Sequence, residues 1–285
     1  MTYKVLADAA HVQAVDDKVE ARTKIVSGIA GLNALTYSGV SAGVYVRDDA
    51  RNHLFEVVAS DAAFDVEFSG EVRANVVPAE DGSFALAAFD DGVLEPGELY
   101  QKAADRVSNR GGGLVSVDST ERIWSGATTV EVPDDVYFFG LQVRNKLAAS
   151  VFASRSSYRL FNFRDAANAG FIGSWFFDGN EAAQGVDRDT DGFLDFAGNA
   201  IRVGRGCTNI SFDTVRIDNW IGSGFSVGIG TTGEDEPRGT YCKHLSGDNL
   251  WNAGLAITAA RGFHADYVQF SNVWANTGGG GGEGY

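Results

Sequence analysis

The pattern of apolar positions changes three times along this chain of 285 residues. In the first thirty residues, valines recur at seven-residue intervals, with charged residues between them: Val5, Val12, Val19 and Val26. A seven-residue repeat of β-branched residues is typical of a helix that self-associates in a parallel bundle. An amphipathic helix that packs on its own domain has the same spacing, so both interpretations are open. We predict a helical stem over residues 1–33.

After the stem the apolar pattern changes to period two. The alternating segments read GVYVRDD, HLFEVVAS, FDVEFSG, VRANVVPA and SFALAAF, with Asp, Gly, Ser and Pro between them. Alternation of this kind is typical of short strands in which one face is buried. The sequence therefore predicts a small β module over residues 34–95.

The third pattern begins near residue 96. The segment EPGELYQKAADRVSNRGGG carries a helical stripe of Leu99, Ala103 and Val107 before a glycine run ends it. Short strand-like segments then follow at turn-like intervals to the end of the chain. We predict one β region over residues 96–285, opened by a capping helix.

Three segments of this region align without gaps over ten positions. They read ISFDTVRIDN, TYCKHLSGDN and FHADYVQFSN, and they begin at residues 210, 240 and 263. Two columns of like residues result: Asn219, Asn249 and Asn272, and Val215, Leu245 and Val268. Two of these segments are followed by a glycine and two alternating apolar residues: Gly224, Phe225 and Val227 after the first, and Gly254, Leu255 and Ile257 after the second. An earlier stretch has Ile201, Val203 and Gly204 where the first segment has Phe225, Val227 and Gly228.

Repeats of 23 to 30 residues built from short strands indicate a solenoid in which each repeat is one coil. Leucine-rich repeats need a leucine pattern that is absent here, and a β-propeller blade needs about 40 residues. A parallel β-helix fits best, because each column then becomes a ladder of like side chains about 4.8 Å apart. The predicted fold class is therefore all-β.

Composition excludes several function classes. The 36 glycines against 4 prolines indicate many tight turns. A net charge of −15 argues against general nucleic-acid binding, which needs a basic surface to displace counterions. The N-terminus lacks the apolar core of a secretory signal, and no apolar run is long enough for a membrane span. Cys207 and Cys242 lack a metal-ligand spacing, so we prefer buried free thiols, with a disulfide as the alternative.

Two stretches also resemble a known family. ELYQKAADRVSNRGGGLVSVDS followed by TTVEVPDDVYFFG resembles the opening of pectate-lyase-like right-handed β-helices. The upstream GVYVRDDARNHLFEVVAS is similar to the N-terminal segment of phage tailspike and tail-fibre proteins, and the resemblance covers residues 42–276. It implies a homotrimer, a virion-proximal N-terminal region, and a right-handed parallel β-helix that binds or cleaves bacterial surface polysaccharide. It also favours a trimeric stem.

The segment DRDTDGFLD matches a calcium-binding loop at five positions: Asp187, Asp189, Asp191, Gly192 and Asp195. Alternating acids let several carboxylates point at one hard cation, and the glycine makes the turn. The twelfth position of such a loop is normally a glutamate that binds the ion through both oxygens. Here it is Gly198, so a bidentate ligand would have to come from elsewhere. A Ca²⁺ site and a solvated acidic loop between two coils are both open interpretations.

Carboxylates are also the usual agents of glycoside cleavage, and Asp218 and Asp248 share one column of the alignment. Two stacked acids can raise one pKa and act as an acid–base pair. The simpler alternative, which we prefer, is that an Asp before a turn Asn bonds local backbone N–H groups.

Five further residues are candidates for substrate binding beside this column: Arg216, Lys243, Asp266, Trp251 and Trp274. The tryptophans could stack on sugar rings, although packing in the core or between subunits explains them equally well.

The resulting prediction is a phage tailspike or tail-fibre component. It would be made in the host cytoplasm without a signal peptide, attach to the virion tail, baseplate or an adaptor protein, and recognise host surface polysaccharide. Two alternatives remain: a free bacterial polysaccharide lyase, hydrolase or epimerase, and a structural tail adaptor without glycan activity. Because NTGGGGGEGY stops in mid-pattern without a cap, either further coils follow Tyr285 or another protein or a trimer partner covers the end. We prefer the first interpretation, in which the catalytic coils of a depolymerase, if the protein is one, would lie beyond Tyr285.

Overall fold

The computed structural model describes residues 23–37, 41–50, 52–60, 62, 64–68, 71–125, 128–151, 159–185, 198–228, 235–251 and 253–273. These residues divide into two compact units. The first contains the described residues up to Asp81 together with Ala87–Val93, and the second contains Gly82–Leu86 and the described residues from Leu94 onward. Most of the predicted stem, residues 1–22, lies outside the described residues.

The first unit is built on a five-stranded sheet in the order β1-β2-β3-β5-β4. Its strands are β1 (Thr23–Val26), β2 (Tyr45–Asp48), β3 (His53–Val57), β4 (Val66–Glu67) and β5 (Arg73–Val76). β1 pairs with β2 in parallel, and the other three pairings are antiparallel. The buried residues of this sheet are mostly apolar, among them Val46, Phe55 and Ala74, but Asp48 is buried beside Val46 on the same face of β2.

The prediction of a helical stem is wrong at Val26, the last of the four valines that recur every seven residues. Val26 lies in β1, whose backbone groups pair with Tyr45–Asp48, and a helix, α1 (Gly28–Asn33), begins only after it. The turn between them is fixed by Asp48, whose buried carboxylate accepts hydrogen bonds from the N–H of Gly28 at 2.6 Å and of Ala50 at 3.1 Å. Sheet pairing therefore overrides the heptad spacing at this point.

The second unit opens with the predicted helix, α2 (Pro96–Ser108). Glu95 caps it by accepting from the Gly97 N–H at 2.9 Å, while Glu98 accepts from the Glu95 N–H at 3.3 Å. The buried ring of Tyr100 packs against Trp124 and Phe161, with centroids 5.6 and 5.1 Å apart. The apolar face of α2 thus covers the core at this end of the unit.

Two parallel sheets form the body of the second unit, and the chain visits them alternately. The long-strand sheet contains β6 (Phe84–Ala85), β7 (Gly113–Ser116), β8 (Arg122–Trp124), β10 (Val136–Leu147), β12 (Gly170–Asp178), β14 (Ser211–Trp220), β16 (Tyr241–Leu250) and β18 (His264–Val273). The short-strand sheet contains β9 (Val130–Val132), β11 (Arg159–Phe163), β13 (Asn199–Val203), β15 (Ser223–Val227) and β17 (Ala253–Ile257). A third line of single parallel bridges joins Ala167, Thr208, Arg238 and Arg261. This arrangement is a parallel β-helix.

The predicted columns are confirmed by the strand register. Val215, Leu245 and Val268 pair in succession, as do Ile201, Phe225 and Leu255, and Val203, Val227 and Ile257. Successive partners in the first column of the long-strand sheet are 33, 41, 30 and 23 positions apart: Tyr137, Gly170, Ser211, Tyr241 and His264. Coil length therefore varies while the strands stay paired, with one register shift each in the β10–β12 and β12–β14 pairings.

Aromatic rings fill the inside of the first coils. Phe171 stacks on Trp175 with centroids 4.4 Å apart, and it meets Phe161 edge-on at 4.9 Å. Phe212 continues the column in the next coil, 5.4 Å from Phe171. All four are buried, so apolar burial and ring packing hold the coils together.

The two cysteines are buried and free, as predicted. Burial raises the pKa of the Cys242 thiol to about 12, so it is a packed thiol without nucleophilic character. None of the described helices combines the length and the apolar character needed to cross a membrane.

Candidate functional site

The candidate site lies on the outside of the long-strand sheet. In β14, β16 and β18 the column of Val215, Leu245 and Val268 points into the β-helix, and polar residues occupy the positions between the inward columns. We call the outward-facing polar and aromatic side chains of these three strands the outer polar face, which does not include Val268 of the inward column although that residue is 45% exposed.

Two aromatic pairs cross from β16 to β18 on the outer polar face. Tyr241 and His264 are register partners, and their rings stack at 5.8 Å with an angle of 9° between the ring planes. His244 and Tyr267 are also partners, with ring centroids 4.5 Å apart. Tyr267 is 45% exposed, as is Val268 of the inward column, because β18 is the edge strand of this sheet among the described residues.

Asp266 joins the first pair. It accepts a hydrogen bond from the Tyr241 hydroxyl at 2.6 Å, and His264 Nε2 lies 3.0 Å from its other oxygen. The Tyr241 hydrogen bond holds the pKa of Asp266 below its ordinary value, with help from His264, and the same bond raises the pKa of Tyr241. Asp266 is therefore an oriented carboxylate that is ionised at neutral pH.

Two cations of the predicted binding set stand on the same face. Lys243 is exposed on β16, and it also favours the ionised form of Asp266. Arg216 is half-exposed on β14 and donates from Nε to Asp218 at 2.8 Å. The structure thus brings Arg216, Lys243 and Asp266 onto one surface.

The two predicted catalytic acids are in register, and a third carboxylate joins them. Asp178, Asp218 and Asp248 form one column through β12, β14 and β16. Asp218 is buried and accepts the N–H of Asp248 at 2.9 Å, in addition to the Arg216 contact. Asp178 was missed from the sequence because its coil is 41 residues long and breaks the repeat spacing.

Asp248 does not have the raised pKa that a general acid needs. Hydrogen bonds from the Ser271 hydroxyl and the Asn272 amide, both 2.7 Å long, hold its pKa below the ordinary value. This direction favours the simpler interpretation, in which the column accepts structural hydrogen bonds. A catalytic role for Asp218 and Asp248 stays a prediction.

The neighbouring asparagine column explains the motif that repeats. Asn219, Asn249 and Asn272 all have positive φ, at 52°, 56° and 49°, a conformation that Asn tolerates well. The Asn249 amide donates to Asn219 at 3.1 Å, and Asn219 donates to Asp178 at 3.1 Å. These residues turn the chain and tie the coils together.

The structure corrects the assignment of Trp251 to sugar stacking. Trp251 is only 3% exposed, and its Nε1 donates to Glu181 at 2.6 Å. Trp220 is buried too and donates to the Gly198 carbonyl at 3.2 Å. Both indoles are core residues with a satisfied N–H, and Trp274 lies outside the described residues.

The predicted calcium ligands Asp187, Asp189, Asp191 and Asp195 also lie outside the described residues. Within the part of the chain that the structure describes, no group of three or more His, Cys, Asp or Glu side chains is placed to hold a metal ion.

The aromatic pairs were missed because they combine unlike residues. Identical residues recur in the Asn column, whereas Tyr241 pairs with His264 and His244 pairs with Tyr267. The gapless alignment of the three segments already places Tyr241 with His264, and His244 with Tyr267, in shared columns.

Neither a protein-family model nor a curated protein matches the chain. Among solved structures it is similar to the tailspike protein gp49 from Acinetobacter baumannii bacteriophage Fri1, a capsular polysaccharide depolymerase, with 10% identity and a TM-score of 0.50 over 90% of this chain and 50% of that one. It is also similar to an iota-carrageenase in complex with iota-carrageenan fragments (14% identity, TM-score 0.46, 68% of this chain and 42% of that one).

A third similar structure is the A-module of the mannuronan C-5 epimerase AlgE4 of Azotobacter vinelandii (17% identity, TM-score 0.38, 67% of this chain and 50% of that one). The chain spans between 42% and 50% of the length of these three structures. At this identity, the likeness to the tailspike shows the β-helix fold that the register also shows.

Proposed function

We propose that this chain is part of a homotrimeric phage tailspike or tail fibre. In this proposal its N-terminal region attaches to the virion tail, baseplate or an adaptor protein, and its outer polar face recognises bacterial surface polysaccharide. The observation that carries the recognition role is the group of exposed and half-buried rings beside the ionised Asp266 on β16 and β18. The fold shared with a phage tailspike supports the virion role.

The chemistry of the outer polar face suits a sugar chain. Sugars present C–H faces that pack on aromatic rings and hydroxyls that hydrogen-bond to charged groups. Tyr267 offers a half-exposed ring, while Lys243 and Asp266 offer a donor and an acceptor on neighbouring strands. Because strands lie about 4.8 Å apart, these groups are spaced to contact neighbouring sugars of one bound chain.

Binding of polysaccharide purified from the host bacterium tests the recognition role. We expect Tyr267→Ala and Lys243→Ala each to weaken binding by about tenfold, which corresponds to ~1.4 kcal/mol. Phe139→Ala is the matched control, because Phe139 is 42% exposed on β10, three coils from β16 in the same sheet. Equal binding by Tyr267→Ala, Lys243→Ala and Phe139→Ala would contradict the proposed face.

Two further measurements test the trimeric assembly and distinguish the competing functions. Light scattering of a tailspike component should give the mass of three copies of the 30.3 kDa chain, and a monomer would contradict the virion role. Loss of polysaccharide viscosity with the full-length protein would indicate a depolymerase, and binding without loss a receptor-binding module. An absence of binding would favour the structural adaptor.

A further inference from the structure

The Tyr267 hydroxyl fixes the side-chain amide of Gln269 on the outer polar face. Both residues lie on β18, on either side of Val268 of the inward column. The hydroxyl donates to Gln269 Oε1 at 2.5 Å. This contact therefore determines which end of the amide is left for a ligand.

The amide nitrogen of Gln269 keeps its donors. A glutamine amide carries one acceptor oxygen and two N–H donors. The oxygen is occupied by the Tyr267 hydroxyl, and within the described residues this is the one side-chain hydrogen bond of Gln269. Because Gln269 is exposed, its Nε2 presents two oriented donors to the solvent.

An apolar surface lies beside this amide. The ring of His244 on β16 has its centroid 4.5 Å from that of Tyr267, with an angle of 33° between the ring planes. Ser246, two positions further along β16, is the register partner of Gln269. Two rings, an amide donor and a hydroxyl thus lie next to each other across two strands.

The charges on the outer polar face favour a neutral ligand group. Asp213, Lys243 and Asp266 occupy one row across β14, β16 and β18, because the positions before and after them are register partners. Two carboxylates therefore flank one ammonium group. The cation of the neighbouring row, Arg216, already donates to Asp218 at 2.8 Å. A carboxylate or sulfate of a ligand would meet no excess of positive charge here.

We propose that Gln269 is a specificity-determining residue that recognises the N-acetyl group of a bound amino sugar. Its Nε2 donates to the acetyl carbonyl, the methyl packs on the rings of Tyr267 and His244, and the Ser246 hydroxyl accepts the amide N–H. An ester-linked acetyl group lacks that N–H and fits less well. This inference rests on the proposed function, because it names the class of polysaccharide that the outer polar face recognises.

Modified samples of the purified host polysaccharide test this inference. The samples are the native, the de-O-acetylated and the de-N-acetylated polysaccharide, and a de-N-acetylated sample that has been N-acetylated again. Each is titrated into the protein. We expect wild type to bind the native, de-O-acetylated and re-N-acetylated samples equally, and the de-N-acetylated sample about tenfold more weakly.

Gln269→Glu makes the test specific, because it keeps the acceptor for the Tyr267 hydroxyl and removes both donors. It should abolish the preference for N-acetylated samples, since a carboxylate repels a carbonyl oxygen and attracts the ammonium group that de-N-acetylation exposes. Tyr267→Phe keeps the ring but releases the amide, so the preference should fall several-fold. Gln142→Glu, the same change at an exposed glutamine of β10, should keep the full wild-type preference.

The outcomes separate this inference from the proposed function. Equal binding of the native and de-N-acetylated samples, or the wild-type preference in Gln269→Glu, would overturn the role of Gln269 while recognition of host polysaccharide still stands. Loss of binding on de-O-acetylation alone would overturn the assignment to an N-acetyl group. Failure of wild type to bind the native sample would overturn the proposed recognition itself. Because the readout is a ratio of affinities within each variant, partial misfolding does not imitate it.

Discussion

Glu181 accepts a hydrogen bond from the indole of Trp251, two coils further along the β-helix, at 2.6 Å. Glu181 begins a short 3₁₀ helix after β12, and Trp251 directly follows β16. The same carboxylate accepts from the Asn249 amide. One side chain therefore spans a whole intervening coil and satisfies a buried indole N–H.

Glu181→Ala should destabilise the β-helix by about 2 kcal/mol, because it removes charge-assisted hydrogen bonds and leaves a buried indole N–H unsatisfied. Urea unfolding followed by tryptophan fluorescence measures this loss. Glu121→Ala, which removes an exposed carboxylate, should change the stability by less than about 0.5 kcal/mol. Similar losses in Glu181→Ala and Glu121→Ala would show that the contact between Glu181 and Trp251 is unimportant.

Two glycines in one column should respond differently to the same substitution. Gly228 has a φ of +75°, and an added Cβ would lie 1.6 Å from the Ala259 carbonyl oxygen. Gly204 lies one coil earlier, where an added Cβ would lie 3.2 Å from the Phe163 carbonyl oxygen. Gly228→Ala should therefore cost more than about 3 kcal/mol, and Gly204→Ala about 1 kcal/mol or less.

Thermal unfolding of Gly228→Ala and Gly204→Ala measures the difference. A Gly228→Ala variant that melts within a degree of wild type would contradict the close approach of the two coils at this corner.

Acid should destabilise the protein partly through Asp248. Its folded pKa lies below the ordinary value of 3.8, so its contribution is fully present above that pH and is lost as pH falls through the folded pKa. Asp248→Asn removes this titration. We expect the melting temperature of wild type to fall more steeply below about pH 4 than that of Asp248→Asn. Glu80→Gln, at an exposed position of the first unit, should show the full wild-type slope.

Calcium binding by the acidic segment is tested by its effect on melting. If Asp187, Asp189, Asp191 and Asp195 hold Ca²⁺, saturation at a hundred times the dissociation constant stabilises the protein by ~2.7 kcal/mol. A chelator should then lower the melting temperature, and Asp189→Asn with Asp191→Asn should abolish the response. Identical melting with calcium and with chelator would leave the segment as a solvated loop.

The recurring columns could be predicted from the sequence because each coil repeats the same inward side chains. Val215, Leu245 and Val268 stand in register for that reason. Trp251 was harder to place, because its partner Glu181 comes seventy residues earlier and outside the aligned repeats. The strand at Val26 was missed because a valine every seventh residue fits a helix, while its pairing with Asp48 depends on a distant strand.

The candidate site was predicted only in part, for a related reason. Arg216, Lys243 and Asp266 were found because they flank the repeated residues. The Tyr241–His264 pair has no repeated identity to reveal it. Which unlike side chains become neighbours depends on the register of the folded coils, and no local sequence pattern shows it.

The unequal coils of the β-helix have a consequence for how such a protein can change. Between β10 and β18 the spacing of paired residues runs from 23 to 41 positions, yet the columns stay aligned. Parallel pairing resumes in each following coil whatever the number of residues between the paired strands. The segments between the paired strands can therefore be lengthened, shortened or exchanged for others, which makes them natural sites for grafting a new binding preference onto an unchanged scaffold.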